Sequence, residues 1–216
     1  MADSTFLTVD WAIDWLRRSA AVVAENRMAL IELDRVIGDG DHGENLDRGF
    51  SAVLEALDAQ APATPGAAFK LAAMTLMSKV GGAAGPLYGT AFLRAATTVG
   101  DAAELDAAML GAALGAARDG VVARGKAEVG DKTMIDAWTP AVDAAVAAAA
   151  AGAGPAAVLD AAATAAESGA VSTDPLIARK GRASYLGERA MGHRDPGAAS
   201  SALILRAAAN AAGAGA

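Results

Sequence analysis

Alanine fills 61 of the 216 positions, and it recurs with Leu, Ile, Val and Phe at helical spacing. Alanine is the best helix former, but each one buries little surface. A chain built this way folds as closely packed helices. Strand formers are sparse, and Phe, Trp and Tyr together make up only 4% of the residues. The apolar period is helical at Ile13, Leu16, Ala20 and Val23, at Leu46, Phe50, Val53, Leu54 and Leu57, and at Phe69, Ala73, Leu76, Met77 and Val80. It predicts eight helices, over 10–31, 44–60, 66–80, 86–99, 102–123, 134–150, 155–169 and 197–213. The expected fold is all-α, a bundle or barrel of amphipathic helices in one domain spanning 1–216, with no linker. Pro86 and Pro196 suit first helical turns, and Asp195 suits an N-cap. Trp11, Trp15 and Trp138 lie at helical positions expected to face the core.

Charge and composition exclude several functions. The 18 Lys and Arg against 25 Asp and Glu give a net charge of −7, without the basic footprint of a nucleic-acid binder. There is no Cys for a disulfide, a thiolate zinc site or a cysteine nucleophile. The opening MADSTFLTVD carries Asp3 and Asp10 and reads as no signal peptide. The Ala-rich stretch 137–170 is interrupted by Asp143, Pro155, Asp160 and Glu167, so no membrane span is expected. The expected location is the cytoplasm.

Four joints between helices depart from this Ala-rich background. They are Asp34–Asn45 (DRVIGDGDHGEN), Gly81–Thr90 (GGAAGPLYGT), Gly125–Thr133 (GKAEVGDKT) and Lys180–Gly197 (KGRASYLGERAMGHRDPG). Each combines glycines with charged or hydrogen-bonding groups, and three lead directly into a helix. Free N–H groups and the helix dipole attract anions there.

In the first joint Asp34, Asp39 and Asp41 are spaced i, i+5, i+7 around Gly38, Gly40 and Gly43. Three carboxylates so close repel one another, and a hard cation such as Mg²⁺ resolves the repulsion. The bland alternative is a solvated turn whose aspartates cap the next helix. Three look-alike motifs fail on context. Gly38, Gly40 and Gly43 spell GxGxxG without a preceding strand. An EF-hand loop begun at Asp39 puts Phe50 where a bidentate Glu is needed. Gly120–Lys126 fits GxxxxGK, but Ala127 lacks the P-loop hydroxyl.

The other joints leave alternatives open when taken singly. GGAAGP is a phosphate cradle or a tight turn. Asp131 and Lys132 ion-pair, order a neighbouring loop or cap helix 134–150, with capping the expectation. Arg182 suits bidentate phosphate recognition or a surface ion pair. His42 sits among carboxylates that favour its charged form and can donate to a phosphate oxygen. His193 orients its loop or touches a ligand.

Taken together, GDGDHGENLDRGF, GGAAGPLYGTAFL, GDKTMIDAWTPA and KGRASYLGERAMGHRDPGAAS resemble the nucleotide-binding L subunits of bacterial dihydroxyacetone kinases. The same module forms the C-terminal domain of the one-chain ATP-dependent enzymes. The resemblance runs from about Trp15 to the last helix. It implies an antiparallel barrel of eight amphipathic helices with a nucleotide site in the loops at one rim. Asp34, Asp39 and Asp41 match the family's metal ligands and would hold two Mg²⁺. The ADP or ATP contacts fall on His42, Gly43, Asn45, the Ala83–Ala84 turn, Gly125, Met134, Arg182 and the turn Asp195, Pro196, Gly197. Glu44 lies between contact positions and contributes backbone. Ala84 stands where many relatives carry a phosphate-contacting Ser.

The implied reaction is transfer of the γ-phosphoryl group to dihydroxyacetone held by a partner subunit, so the chain alone is expected to be inactive. In the phosphoenolpyruvate-linked systems a phosphotransferase-system subunit recharges the bound ADP. Two further readings stay open: an ATP-dependent kinase subunit for a related short ketose such as erythrulose, and a regulator that docks a transcription factor according to nucleotide state.

Overall fold

The computed structural model describes residues 5–214; Asp3, part of the acidic start, lies outside them. Among the described residues there are nine α-helices, one 3₁₀ segment and no strand beyond an isolated bridge between Leu7 and Leu105. The helices are α1 (Val9–Glu25), α2 (Arg27–Ile37), α3 (His42–Ala59), α4 (Pro65–Lys79), α5 (Ala84–Val99), α6 (Ala107–Gly125), α7 (Ile135–Ala150), α8 (Pro155–Ser172) and α9 (Pro196–Ala214). The 3₁₀ segment spans Arg182–Ala190 within the expected last loop.

All eight expected helices are present, and the first is longer and broken. Asn26 ends α1 by donating its side-chain amide to the Val22 carbonyl at 2.8 Å, beside its own N–H at 3.1 Å. An Asn that bonds its own backbone competes with helix continuation. The chain restarts at Arg27 and stays helical to Ile37, so Asp34 lies in a helix and not in a loop. The helix expected from 102 begins at Ala107, because the Asp106 carboxylate accepts the Met109 N–H at 2.8 Å as an N-cap.

The packing forms a closed ring. From α3 to α9 each helix packs on the next, and α1 closes the circle between α9 and α3. That ring has eight members. The extra helix, α2, lies against α3, α9 and the 3₁₀ segment. The Trp11 indole donates to the Ala208 carbonyl at 3.1 Å and the Trp15 indole to that of Ile204 at 2.9 Å. Numbering rises along α1 as it falls along α9, so the two run antiparallel.

Inside the ring, Trp11, Trp15, Phe69 and Phe92 stack or meet edge to face, with centroids 5.3–6.2 Å apart. Trp138 is buried beside them, and Phe50 is fully buried, which makes it a core residue and not a cation ligand. Short joints make successive helices antiparallel, so the joints alternate between the two ends. The α2–α3, α4–α5, α6–α7 and α8–α9 joints therefore share one end. They are the four polar joints. No helix among the described residues is long and apolar enough to cross a membrane.

Candidate functional site

The acidic corner is built by the last turn of α2 and the first of α3. One oxygen of Asp34, Oδ2, accepts the N–H groups of Asp41 and His42 at 2.9 and 3.1 Å. It thereby satisfies the start of α3, whose own N-cap residue Asp41 makes no side-chain cap. Gly38 permits the fold-back, since a Cβ there would stand 2.0 Å from Asp34 Oδ1. Asp39 and Asp41 then come beside Asp34, with one carboxylate oxygen from each of the three within 4.8 Å of the others. Asp34 is buried while Asp39 and Asp41 are exposed. Burial raises the Asp34 pKa, the amides of His42 and Asp41 oppose this, and the neighbouring carboxylates raise it further. The helix-cap reading holds for Asp34. Asp34 both caps α3 through Oδ2 and belongs to the carboxylate cluster. Three carboxylates with no Cys or His among them form an all-oxygen donor set, which fits a hard divalent cation.

These carboxylates border a cavity of about 410 Å³ that all four polar joints line. Of the expected site residues, Asp34, Asp39, Asp41, His42, Asn45, Ala83, Ala84, Met134, Arg182, Asp195, Pro196 and Gly197 reach it. Three do not line it. Gly43 is buried beneath, where a Cβ would meet the Arg27 carbonyl at 2.3 Å; it lets α2 and α3 touch. Glu44 is exposed outside the lining, and Gly125 ends α6 near Leu87. Asn45 is held by Arg48, which donates to its Oδ1 at 2.5 Å and to the Lys79 carbonyl at 3.1 Å, tying α3 to the C-terminal end of α4. Arg182 pairs with Asp39 at 2.8 Å from a largely exposed position.

Beneath the cavity floor lies a hydroxyl network with no sequence motif. The Tyr88 hydroxyl meets those of Ser200 and Ser201 at 2.7 and 2.9 Å, and Trp138 Nε1 donates to Ser201 at 3.1 Å. His42 Nε2 lies 2.8 Å from Ser200 Oγ. The available signal was a Ser pair, Ser200–Ser201, inside an otherwise Ala-rich helix. The expectation of a charged His42 is overturned, because burial pushes its pKa down to about 4. Asp195 caps α9 as expected, accepting the Ala198 N–H at 2.7 Å, and burial raises its carboxyl to about 7.

The expected cap of α7 is not made by Asp131 or Lys132. Asp131 bonds the Glu128 N–H at 2.9 Å, and Asp136 takes the N–H groups of Gly130 and Thr133 at 2.5 and 2.8 Å, so both carboxylates fold their own loop. Lys132 turns inward to the main chain of Thr173, Asp174 and His193. His193 is exposed and serves the loop through its carbonyl.

Residues 36–210 match the DAK2 domain. The chain is similar to the ADP-binding subunit DhaL of the PEP-dependent dihydroxyacetone kinase 1 of Listeria innocua. The two are 46% identical over 198 residues, 92% of this chain and 94% of that one. The DhaL subunit of Escherichia coli is also 46% identical, over 90% of this chain and 92% of its own length. An L-erythrulose 1-kinase of Mycolicibacterium smegmatis is 37% identical, with 86% of this chain matching 33% of that enzyme. Among solved structures, the dihydroxyacetone kinase of C. freundii in complex with AMP-PNP and Mg²⁺ superposes with a TM-score of 0.67 at 25% identity, covering 97% of this chain and 36% of that one. By the domain match and by near full-length identity to the DhaL subunits, the chain belongs to the DAK2-domain family.

Proposed function

We propose that this chain is the ADP/ATP-binding subunit of a dihydroxyacetone-type kinase that works in the cytoplasm. In this reading it transfers the γ-phosphoryl group to dihydroxyacetone held by a partner subunit. The observation that carries the reading is the cluster of Asp34, Asp39 and Asp41 at the edge of a 410 Å³ cavity ringed by helix starts. A phosphoryl group in flight asks for positioning and charge neutralisation more than for a nucleophile. Two Mg²⁺ on the three aspartates would supply that neutralisation across the phosphate oxygens. The chain's own residues do the rest. The uncapped start of α5 at Ala83–Ala84 offers backbone N–H groups to phosphate oxygens. Arg182 adds a mobile positive charge by leaving its exposed pair with Asp39. Met134 and the Asp195–Gly197 turn also wall the cavity. The names of the DhaL relatives favour recharging of the bound ADP by a phosphotransferase-system subunit.

Calorimetric titration with ADP and MgCl₂, beside Asp39→Ala, tests the assignment. Mg²⁺-dependent binding by the wild type and its loss in the variant are expected; equal affinity in both would refute it. Turnover of dihydroxyacetone and ATP should require the partner subunit. The match to erythrulose kinases supports a second acceptor, since they share this module within longer chains. Native mass spectrometry separates the two. Retained ADP favours recharging in place, and an empty, fast-exchanging protein favours an ATP-dependent ketose kinase.

A further inference from the structure

A lysine beside a phosphate-sized cavity would ordinarily be read as a phosphate ligand. Lys132 borders the cavity, yet its side chain is 1% exposed and its ammonium is already used. It donates to the carbonyl of Thr173 at 2.6 Å, to that of Asp174 at 3.3 Å and to that of His193 in a short contact. An ammonium has three N–H bonds and no acceptor, so three carbonyls exhaust it. Two of the three follow the C-terminal end of α8, where unpaired carbonyls favour a cation. The backbone of Lys132 has φ +61°, a left-handed conformation that a side chain adopts only when its surroundings hold it there.

The same residues carry the Asp195–Gly197 turn that lines the cavity. Thr173 Oγ1 accepts the Asp195 N–H at 3.0 Å, and the Asp174 carbonyl accepts the Gly192 N–H at 2.7 Å. The Asp174 carboxylate is gripped by both arms of Arg194, at 3.0 Å each. Lys132 thus joins the loop leading to Met134 to the segment 191–197. Burial lowers its pKa, while Asp195, Asp174 and Asp136 act against that.

We infer that Lys132 is a positioning residue: its caged ammonium sets the Asp195–Gly197 turn against Met134, and it makes no contact with phosphate. This rests on the nucleotide reading of the cavity. Two measurements test it. Reductive methylation of the wild-type protein, read by mass spectrometry with and without MgADP, should leave Lys132 unmodified in both states while exposed Lys180 reacts. Modification in the free protein, whether or not MgADP protects against it, would overturn the cage. Calorimetry on Lys132→Met, held well below its melting temperature so that all of it is folded, should show affinity for MgADP and for AMP reduced by the same factor, about tenfold. Amide exchange at Gly192 and Asp195 should rise with it. A purely structural residue would lower the melting temperature and leave the affinity of folded protein unchanged, which would refute positioning. Loss for MgADP with AMP unaffected would make Lys132 a direct phosphate ligand and also refute it. If Lys132→Met does not fold, the methylation result on the wild type decides. Failure of the wild type itself to bind MgADP would instead overturn the nucleotide reading.

Discussion

The two ends of the helix ring solve the same problem differently. At the far end, α4 starts with Thr64 accepting the Ala67 N–H at 3.1 Å, α6 starts with Asp106 accepting that of Met109, and α8 starts with Pro155, which has no N–H to satisfy. At the near end the N-cap residues of α3, α5 and α7, namely Asp41, Ala83 and Met134, make no side-chain cap. Helix starts that serve stability are closed by their own side chains. At the polar end α9 is closed in the same way by Asp195, while α3, α5 and α7 leave donors to a distant carboxylate or to the cavity. The near end therefore gives up local stability and gains a concave surface of amides, carboxylates and one exposed arginine.

The largest expected effect lies in the acidic corner. Asp34→Asn keeps an oxygen for the amides of Asp41 and His42 but removes the charge. Mg²⁺-dependent ADP affinity should fall about 30- to 100-fold, the scale of one charge-assisted contact, with little change in melting temperature. Chelation with EDTA should abolish the difference between variant and wild type. An undiminished affinity would show that the corner is only a helix cap.

Gly43→Ala sharpens the comparison sterically. The new methyl would stand 2.3 Å from the Arg27 carbonyl and 2.9 Å from the Ile31 nitrogen, so α2 must move off α3. A cost of about 1–3 kcal/mol is expected from such overpacking, together with weaker Mg²⁺ binding because Asp34 travels with α2. Thermal melts and magnesium titration read the two effects separately.

The Asp195 cap carries a pH signature that the far-end caps lack. Its carboxyl is raised to about 7 in the folded chain against an ordinary value of 3.8. The folded state then holds a proton that the unfolded state has released, so this contribution is present at low pH and is lost as pH rises through about 7. Asp195→Asn removes the loss. Its melting temperature, measured without nucleotide or metal, should gain on the wild type between pH 4 and 7 and run parallel above. At the far end, Asp106→Ala should cost about 1 kcal/mol, a few degrees of melting temperature, and leave ADP affinity untouched.

The ring was legible because Ala, Leu and Phe repeat at helical spacing, and a helix that buries one face needs neighbours. The polar joints were legible because charge and glycine stand out against an Ala-rich background, and 12 of the expected site residues line one cavity. The break at Asn26 was not, since Val22, Val23 and Leu30 carry the apolar pattern across it. Lys132 was misjudged for a different reason. Its partners are backbone carbonyls 41 to 61 positions away, which leave no side-chain signature. The charge of His42 was misjudged because burial is a tertiary quantity; it outweighs the opposing hydrogen bond to the Pro196 backbone, and the sequence displays neither.

The smallest effect tests the near end most directly. Ala84 opens α5 on the cavity wall, half-buried, with a methyl where a hydroxyl would fit a phosphate-binding turn. Ala84→Ser adds one donor without disturbing the backbone amides already there. A net hydrogen bond contributes about 1 kcal/mol, so MgADP should bind roughly fivefold tighter, chiefly through slower release. A hydroxyl at the first position of an uncapped helix could satisfy the backbone instead. In that case the melting temperature of the nucleotide-free protein rises and the affinity does not. Stopped-flow release of a fluorescent ADP analogue, set beside a thermal melt, distinguishes the outcomes: slower release at constant stability means that the near end is shaped for a ligand, and the reverse means that it lacks a cap like those at the far end.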